Sequence, residues 1–172
     1  VDDLWRRLHD LAVLRDDGMI NFNRWFFPHP REDLRLFAIA LDALRTLGVP
    51  NPGDHIIIGT HQRWALLLIK KTAFTPQERQ TILEYFSAHT TALIYPTGLP
   101  VNDPIKDPSD FYNLYLENFK LEREDFFLQL YPFDISVVTD DKPFFYKYYK
   151  LSEFSPWKVM SNHHTGTIIF MT

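Results

Sequence analysis

The chain has 172 residues, 45% hydrophobic and 23% charged, with a formal net charge of −4; this is the size and balance of one globular domain and excludes a disordered or fibrous protein. Its longest uninterrupted apolar runs, such as Phe37 to Leu41 and Ala65 to Ile69, fall far short of the roughly 18 residues of a membrane span and predict a soluble domain. The absence of cysteine removes disulfides, thiolate nucleophiles and cysteine-based zinc sites, and the acidic balance gives no electrostatic reason to expect nucleic acid as a partner.

Leu4, Leu8 and Leu11, with Trp5 and Ala12 beside them, share one helical face and predict a first helix that stops at the turn residues Asp16, Asp17 and Gly18. Met19 to Trp25 then alternates, with Ile20, Phe22 and Arg24 on one face against Met19, Asn21 and Asn23, and predicts a strand between Gly18 and Pro28. Pro30 suits a first helical position, Glu32 and Asp33 suit the positive end of a helix dipole, and Leu34, Phe37, Leu41 and Leu44 predict the buried stripe of a helix ended by Gly48.

His55 to Gly59 and Trp64 to Lys71 predict a hairpin turning through Thr60 to Arg63. Thr75, Pro76 and Glu78 have the spacing of a capping box before Ile82, Leu83 and Phe86. Leu93 to Tyr95 reads as a short strand, and the proline- and aspartate-rich Leu99 to Pro108 as a loop or lid. Phe111, Leu114, Tyr115 and Phe119 share a helical face, and Phe126, Phe127 and Leu130 a second, before Pro132. This order predicts an α/β fold with a mixed sheet containing at least one antiparallel pair.

The familiar catalytic signatures are absent. No Gly-x-Gly occurs, which excludes a dinucleotide fingerprint or phosphate loop within this chain, and there is no Gly-x-Ser-x-Gly elbow. The seven histidines show no His-x-x-x-His pair, so ordinary solvated or hydrogen-bonded histidines are the simpler reading than a metal site. Asn23, Arg24 and Trp25 fall at the expected carboxyl end of a strand, where open α/β sheets hold their ligands; the plainer alternative pairs Arg24 with an acidic neighbour and packs Trp25 to Phe27 in the core. Asp140 and Asp141 offer an acidic site for a polyamine or a metal, or a loop paired with Lys142. Arg63 and Trp64 fall at the hairpin. The aromatic series Phe144 to Tyr149 suits purine stacking, burial or a protein interface.

Arg24-Trp25, the run Arg63 to Lys71, Phe74-Thr75-Pro76, Tyr131-Pro132-Phe133-Asp134 and above all Thr139-Asp-Asp-Lys-Pro-Phe-Phe145 resemble the bacterial spermidine-synthase-like proteins, in which a class I methyltransferase-type domain is joined to membrane helices. The resemblance implies a partial Rossmann-like mixed sheet closed by an antiparallel strand pair, with residues 1–98 as the C-terminal half of that domain and 99–172 as a loop and helical, aromatic extension packed on it. It implies that the glycine-rich turn, the ribose-binding acid and the aspartate of aminopropyl transfer belong to a missing half. No catalytic residue is then assigned here, and no cofactor is expected to bind this fragment, although S-adenosylmethionine or decarboxylated S-adenosylmethionine would serve the full-length parent. Asn23, Arg24, Trp25, Asp140 and Asp141 would line the far wall of the pocket, and an acidic wall would favour a polyamine.

The start without methionine and the apolar close at Thr167 to Thr172 predict a piece of a longer protein whose continuation forms a buried strand or a membrane helix. The expected partners are the rest of the parent chain, with its membrane helices, and a second copy in a homodimer. The expected location is the cytoplasmic side of a bacterial inner membrane. The competing expectation is a non-catalytic domain whose segment from Asp107 to Trp157 binds a partner or regulates the attached helices.

Overall fold

The computed structural model describes residues 10–96, 109–138 and 146–150. The elements are β1 (Met19–Trp25), α1 (Glu32–Thr46), β2 (Ile56–His61), β3 (Trp64–Lys70), α2 (Pro76–Ala88), β4 (Ala92–Tyr95), α3 (Ser109–Lys120) and α4 (Glu124–Leu130), with 3-10 turns at Asp10–Val13 and Pro52–His55. Leu4, Trp5 and Leu8 of the expected first helix, the expected lid from Leu99 to Pro108, and Thr167 to Thr172 lie outside the described residues. Among the described residues no helix is long and apolar enough to cross a membrane.

The strand order is β1-β3-β2-β4. The chain leaves β2 through the two-residue turn Gln62-Arg63, with Gln62 at φ 56°, and β3 folds straight back. It pairs antiparallel with β2 on one side, Ile58 opposite Leu67, and with β1 on the other, Phe22 opposite Leu67. Strands β1 and β2 therefore point the same way with β3 between them, and α1 makes the crossover that such a parallel connection needs. The outer strand β4 pairs antiparallel with β2, with a register shift at Ile58/Gly59. Every ladder among the described residues is antiparallel, where a mixed sheet was expected, because the tight hairpin puts β3 into the slot that would otherwise bring β1 and β2 together.

Strand alternation sorts the side chains onto two faces. Ile20, Phe22, Ile56, Ile58, Ala65, Leu67 and Ile69 pack against α1 in the main core, while Ile57, Leu68, Phe74 and Phe86 form a smaller core under α2. Helix α1 is buried nearly all round. Beyond the expected stripe, Leu36, Ile39, Ala40 and Ala43 are also covered, since the sheet and an outer layer made by α3 and Phe127 of α4 share one core with α1. Much of that outer layer is aromatic: Phe37 meets the rings of Tyr95, Tyr112 and Tyr115 edge-on at 4.9, 5.4 and 6.3 Å. The high aromatic content thus fills a core, each such side chain contributing about 1.5–3 kcal/mol of burial.

Helix ends follow local chemistry. At the α1 C-terminus Gly48 adopts φ 76°, and the Gly48 and Val49 N–H groups donate back to Arg45 O and Leu44 O at 2.9 and 3.0 Å, a Schellman arrangement. At the α2 N-terminus Thr75 and Glu78 form the expected capping box. The Glu78 carboxylate also receives Lys70 Nζ at 2.5 Å, and that bond, with the Thr75 N–H, holds its pKa down to about 2. Helix α4 departs from expectation: only Phe127 is buried, whereas Phe126 and Leu130 face solvent, because this short helix reaches the core through one turn.

Gly59 sits where α2 crosses the sheet. A Cβ there would lie 2.5 Å from Phe86 Cε2, so Gly59→Ala is expected to destabilise the fold by about 1–3 kcal/mol through overpacking, and Thr75→Ala by about 1 kcal/mol through loss of the cap. Urea denaturation checks both; a Gly59→Ala protein as stable as the parent would contradict the close packing of Phe86.

Candidate functional site

The chain leaves the carboxyl end of β1 through Phe26 to Pro30 and turns into α1, whose first turn carries Glu32, Asp33 and Arg35 into the interior, all buried. Asp33 takes over helix capping: its Oδ1 accepts the Arg31 N–H at 2.9 Å, and its Oδ2 accepts the Tyr112 hydroxyl at 2.6 Å. Burial pushes the Asp33 carboxyl up to about 6, with the Tyr112 and backbone hydrogen bonds opposing. The Tyr112 phenol, buried against that carboxyl, is raised well above its ordinary value. Tyr131 donates to the Pro30 carbonyl at 2.5 Å.

Arg35 reaches in the other direction. Its Nη2 donates to the Asp134 carbonyl and to the Lys147 carbonyl at 2.8 Å, and lies 3.9 Å from the Asp134 carboxylate. Burial lowers its pKa, while Asp134 and Glu32 act against that. Glu32 senses the charges of Arg24, Arg31 and Arg35, yet burial outweighs them and its carboxyl is raised. The end of β1 is thus walled by a cluster of three guanidiniums around one buried carboxyl, with Phe133, Asp134, Lys147 and Tyr148 closing it from the C-terminal segment.

The structure divides the residues nominated from sequence. Asn23 and Trp25 lie on the α2 side of the sheet and Arg24 on the α1 side, because adjacent strand residues point oppositely. Arg24 is half-buried, donates to the Asn23 carbonyl at 2.7 Å and lies over Phe22. Trp25 is not core: it is 47% exposed, and it stacks at 4.5 Å on its cross-strand partner Trp64, 45% exposed. Asn23 is exposed beside it. Asp140, Asp141, Phe144 and Phe145 lie outside the described residues, whereas Tyr146 and Tyr149 are exposed.

Arg31 and Arg35 were not expected at the site, and Glu32 was expected only at the helix dipole. The usable signal was that Arg35 is the one polar residue between Leu34 and Leu41, which leaves a helix no solvent face on which to place that charge.

Other features offer less. An open depression of about 240 Å³ between β1, β3 and α2 is lined by Met19, Lys70, Phe74, Glu78 and Ile82; it is smaller than ordinary ligand pockets and lies at the opposite end of β1. Among the described residues no group of histidine and acidic side chains is placed to hold a metal. Comparison of the chain with protein-family models, curated proteins and solved structures finds no match.

The raised Asp33 carboxyl makes stability depend on pH. Because its folded pKa exceeds the ordinary 3.8, its contribution is fully present below about 3.8 and is lost as pH rises through about 6, on the order of 3 kcal/mol by linkage. Asp33→Asn cannot titrate, so urea denaturation across this window should show the parent losing stability relative to the variant as pH rises. Parallel profiles would contradict a raised Asp33 pKa.

Proposed function

We propose that this chain is the closing part of a Rossmann-like domain of the class I methyltransferase type, similar to the spermidine-synthase-like proteins, and that the end of β1 forms one wall of its substrate pocket. The observation that carries the reading is the sheet order: β3 is inserted antiparallel between β1 and β2, and β1 and β2 run parallel with α1 as their crossover. That is the closing arrangement the resemblance implies. The charged cluster supports it further, since it stands at the carboxyl end of β1, where α/β sheets place ligands.

In this reading the parent uses S-adenosylmethionine or decarboxylated S-adenosylmethionine and transfers a methyl or aminopropyl group by in-line displacement at the carbon next to the sulfonium. The nucleotide-binding half belongs to the rest of a membrane-linked bacterial parent chain. Residues of this chain contribute position and charge at the acceptor side: Arg24 at the strand end and the α1 first turn behind it. The chain alone is then inactive.

Calorimetric titration with methylthioadenosine, S-adenosylmethionine and spermidine tests the assignment. Heat with at least one of the three that disappears in Arg24→Ala is expected; silence from the folded protein with all three would contradict a pocket wall here. Turnover by this chain alone would contradict the absence of the nucleotide half.

A second reading, a non-catalytic interaction domain that pairs with a second copy, is favoured by one feature: the exposed Trp25–Trp64 stack, with Met19 exposed on the same face. Concentration-dependent dimerisation abolished by Trp25→Ser would select it over the transferase reading.

A further inference from the structure

We propose that Arg31 is an oxyanion receptor, so that the ligand at the end of β1 presents a carboxylate or phosphate to this wall and not the cationic chain of a polyamine. The inference concerns the site described above and deepens its assignment, but it stands on the geometry of Arg31 and does not need transferase chemistry to be correct.

The Arg31 guanidinium is held by rings. Its Cζ lies 4.2 Å from the centroid of Phe133, 4.9 Å from Phe27 and 5.2 Å from Tyr148. Ring contacts engage a guanidinium through its face and leave the N–H groups in its plane for acceptors. Among the described residues those groups find none. Arg31 Nε is buried without a hydrogen-bond partner, and among the described residues no ion pair or hydrogen bond involves its guanidinium, although the neighbouring Arg35 is engaged by Asp134 and Lys147. A buried donor without an acceptor costs about 1–3 kcal/mol. With Nε closed off, the ring-supported guanidinium presents its two Nη groups to a bidentate acceptor that the described residues do not provide.

The acceptor is not the helix end. The Arg31 N–H is already bound by Asp33, so the site is the side chain and not the α1 N-terminus. Nor does Glu32 serve, since its carboxyl acts on Arg31 only through charge. The Arg31 guanidinium is itself cationic, which makes a polyamine an unfavourable occupant against it.

The test follows the Arg31 Nε–Hε and Phe27 amide resonances of the labelled protein during titration with inorganic phosphate and, separately, with acetate, at constant ionic strength set by chloride. Saturable shifts with at least one of them, with a dissociation constant on the order of millimolar, are expected; the arm that saturates identifies the oxyanion. Arg31→Lys, which keeps the charge and the ring contacts but loses the fork, should bind about tenfold more weakly. Shifts that stay linear with both anions, or equal binding by Arg31→Lys, would overturn the proposal, as would saturation by spermidine in their place. Failure of the methylthioadenosine titration leaves this result unaffected, so the two readings fail separately.

Discussion

The structure depends on charges that the first turn of α1 carries into the interior. Helix α1 packs against β1, β3 and α3 in one core, and Glu32, Asp33 and Arg35 of its first turn are buried. Each buried ion costs several kcal/mol unless it is bonded. The polar partners come largely from late in the chain: the Tyr112 hydroxyl for Asp33, and the Asp134 and Lys147 carbonyls for Arg35. The segments after β4 are therefore not an appendage but the counterpart of α1, and their placement is set by hydrogen bonds as well as by aromatic packing.

The same constraint builds the candidate site. Fixing Asp134 and Lys147 on Arg35 brings Phe133 and Tyr148 over Arg31, at the carboxyl end of β1. A site made this way is stiff, because its walls are tied to a helix buried nearly all round. That stiffness suits positioning of a substrate group, and it is common to the transferase reading and the oxyanion proposal. The uncovered half of the sheet is chemically different: Asn21, Asn23, Trp25 and Trp64 share the α2 side of β1 and β3, where α2 leaves them exposed. The two faces of β1 therefore carry different roles, one electrostatic and one aromatic.

Much of the local structure was legible because its causes are local. Thr75 and Glu78 specify their capping box by spacing alone, Gly48 ends α1 through a positive φ, and the apolar runs flanking Thr60 to Arg63 give the hairpin, although the turn itself is only two residues. What escaped depends on packing between distant segments. The reading of Asn23, Arg24 and Trp25 as one group neglected the strand's own alternation, which separates Arg24 from its neighbours. The burial of Leu36, Ile39 and Ala43 depends on tertiary packing around α1, and the partner of β4 depends on sheet assembly; neither is encoded within the segment concerned. Phe126 and Leu130 looked buried because helical spacing identifies a face without saying whether anything covers it. Glu32 was read as a dipole residue, which is sound for an exposed helix end and incomplete for one sealed by Phe133, Tyr148 and Tyr112.

Hydrogen exchange on the Arg35→Lys protein tests the central claim most directly. Lysine keeps the charge but cannot span the Asp134 and Lys147 carbonyls with one planar group. If buried Arg35 anchors the C-terminal segment on α1, exchange should rise in residues 131–138 and 146–150, while the amides of β2 and β3 keep their protection. Unchanged exchange in those two segments would contradict the account.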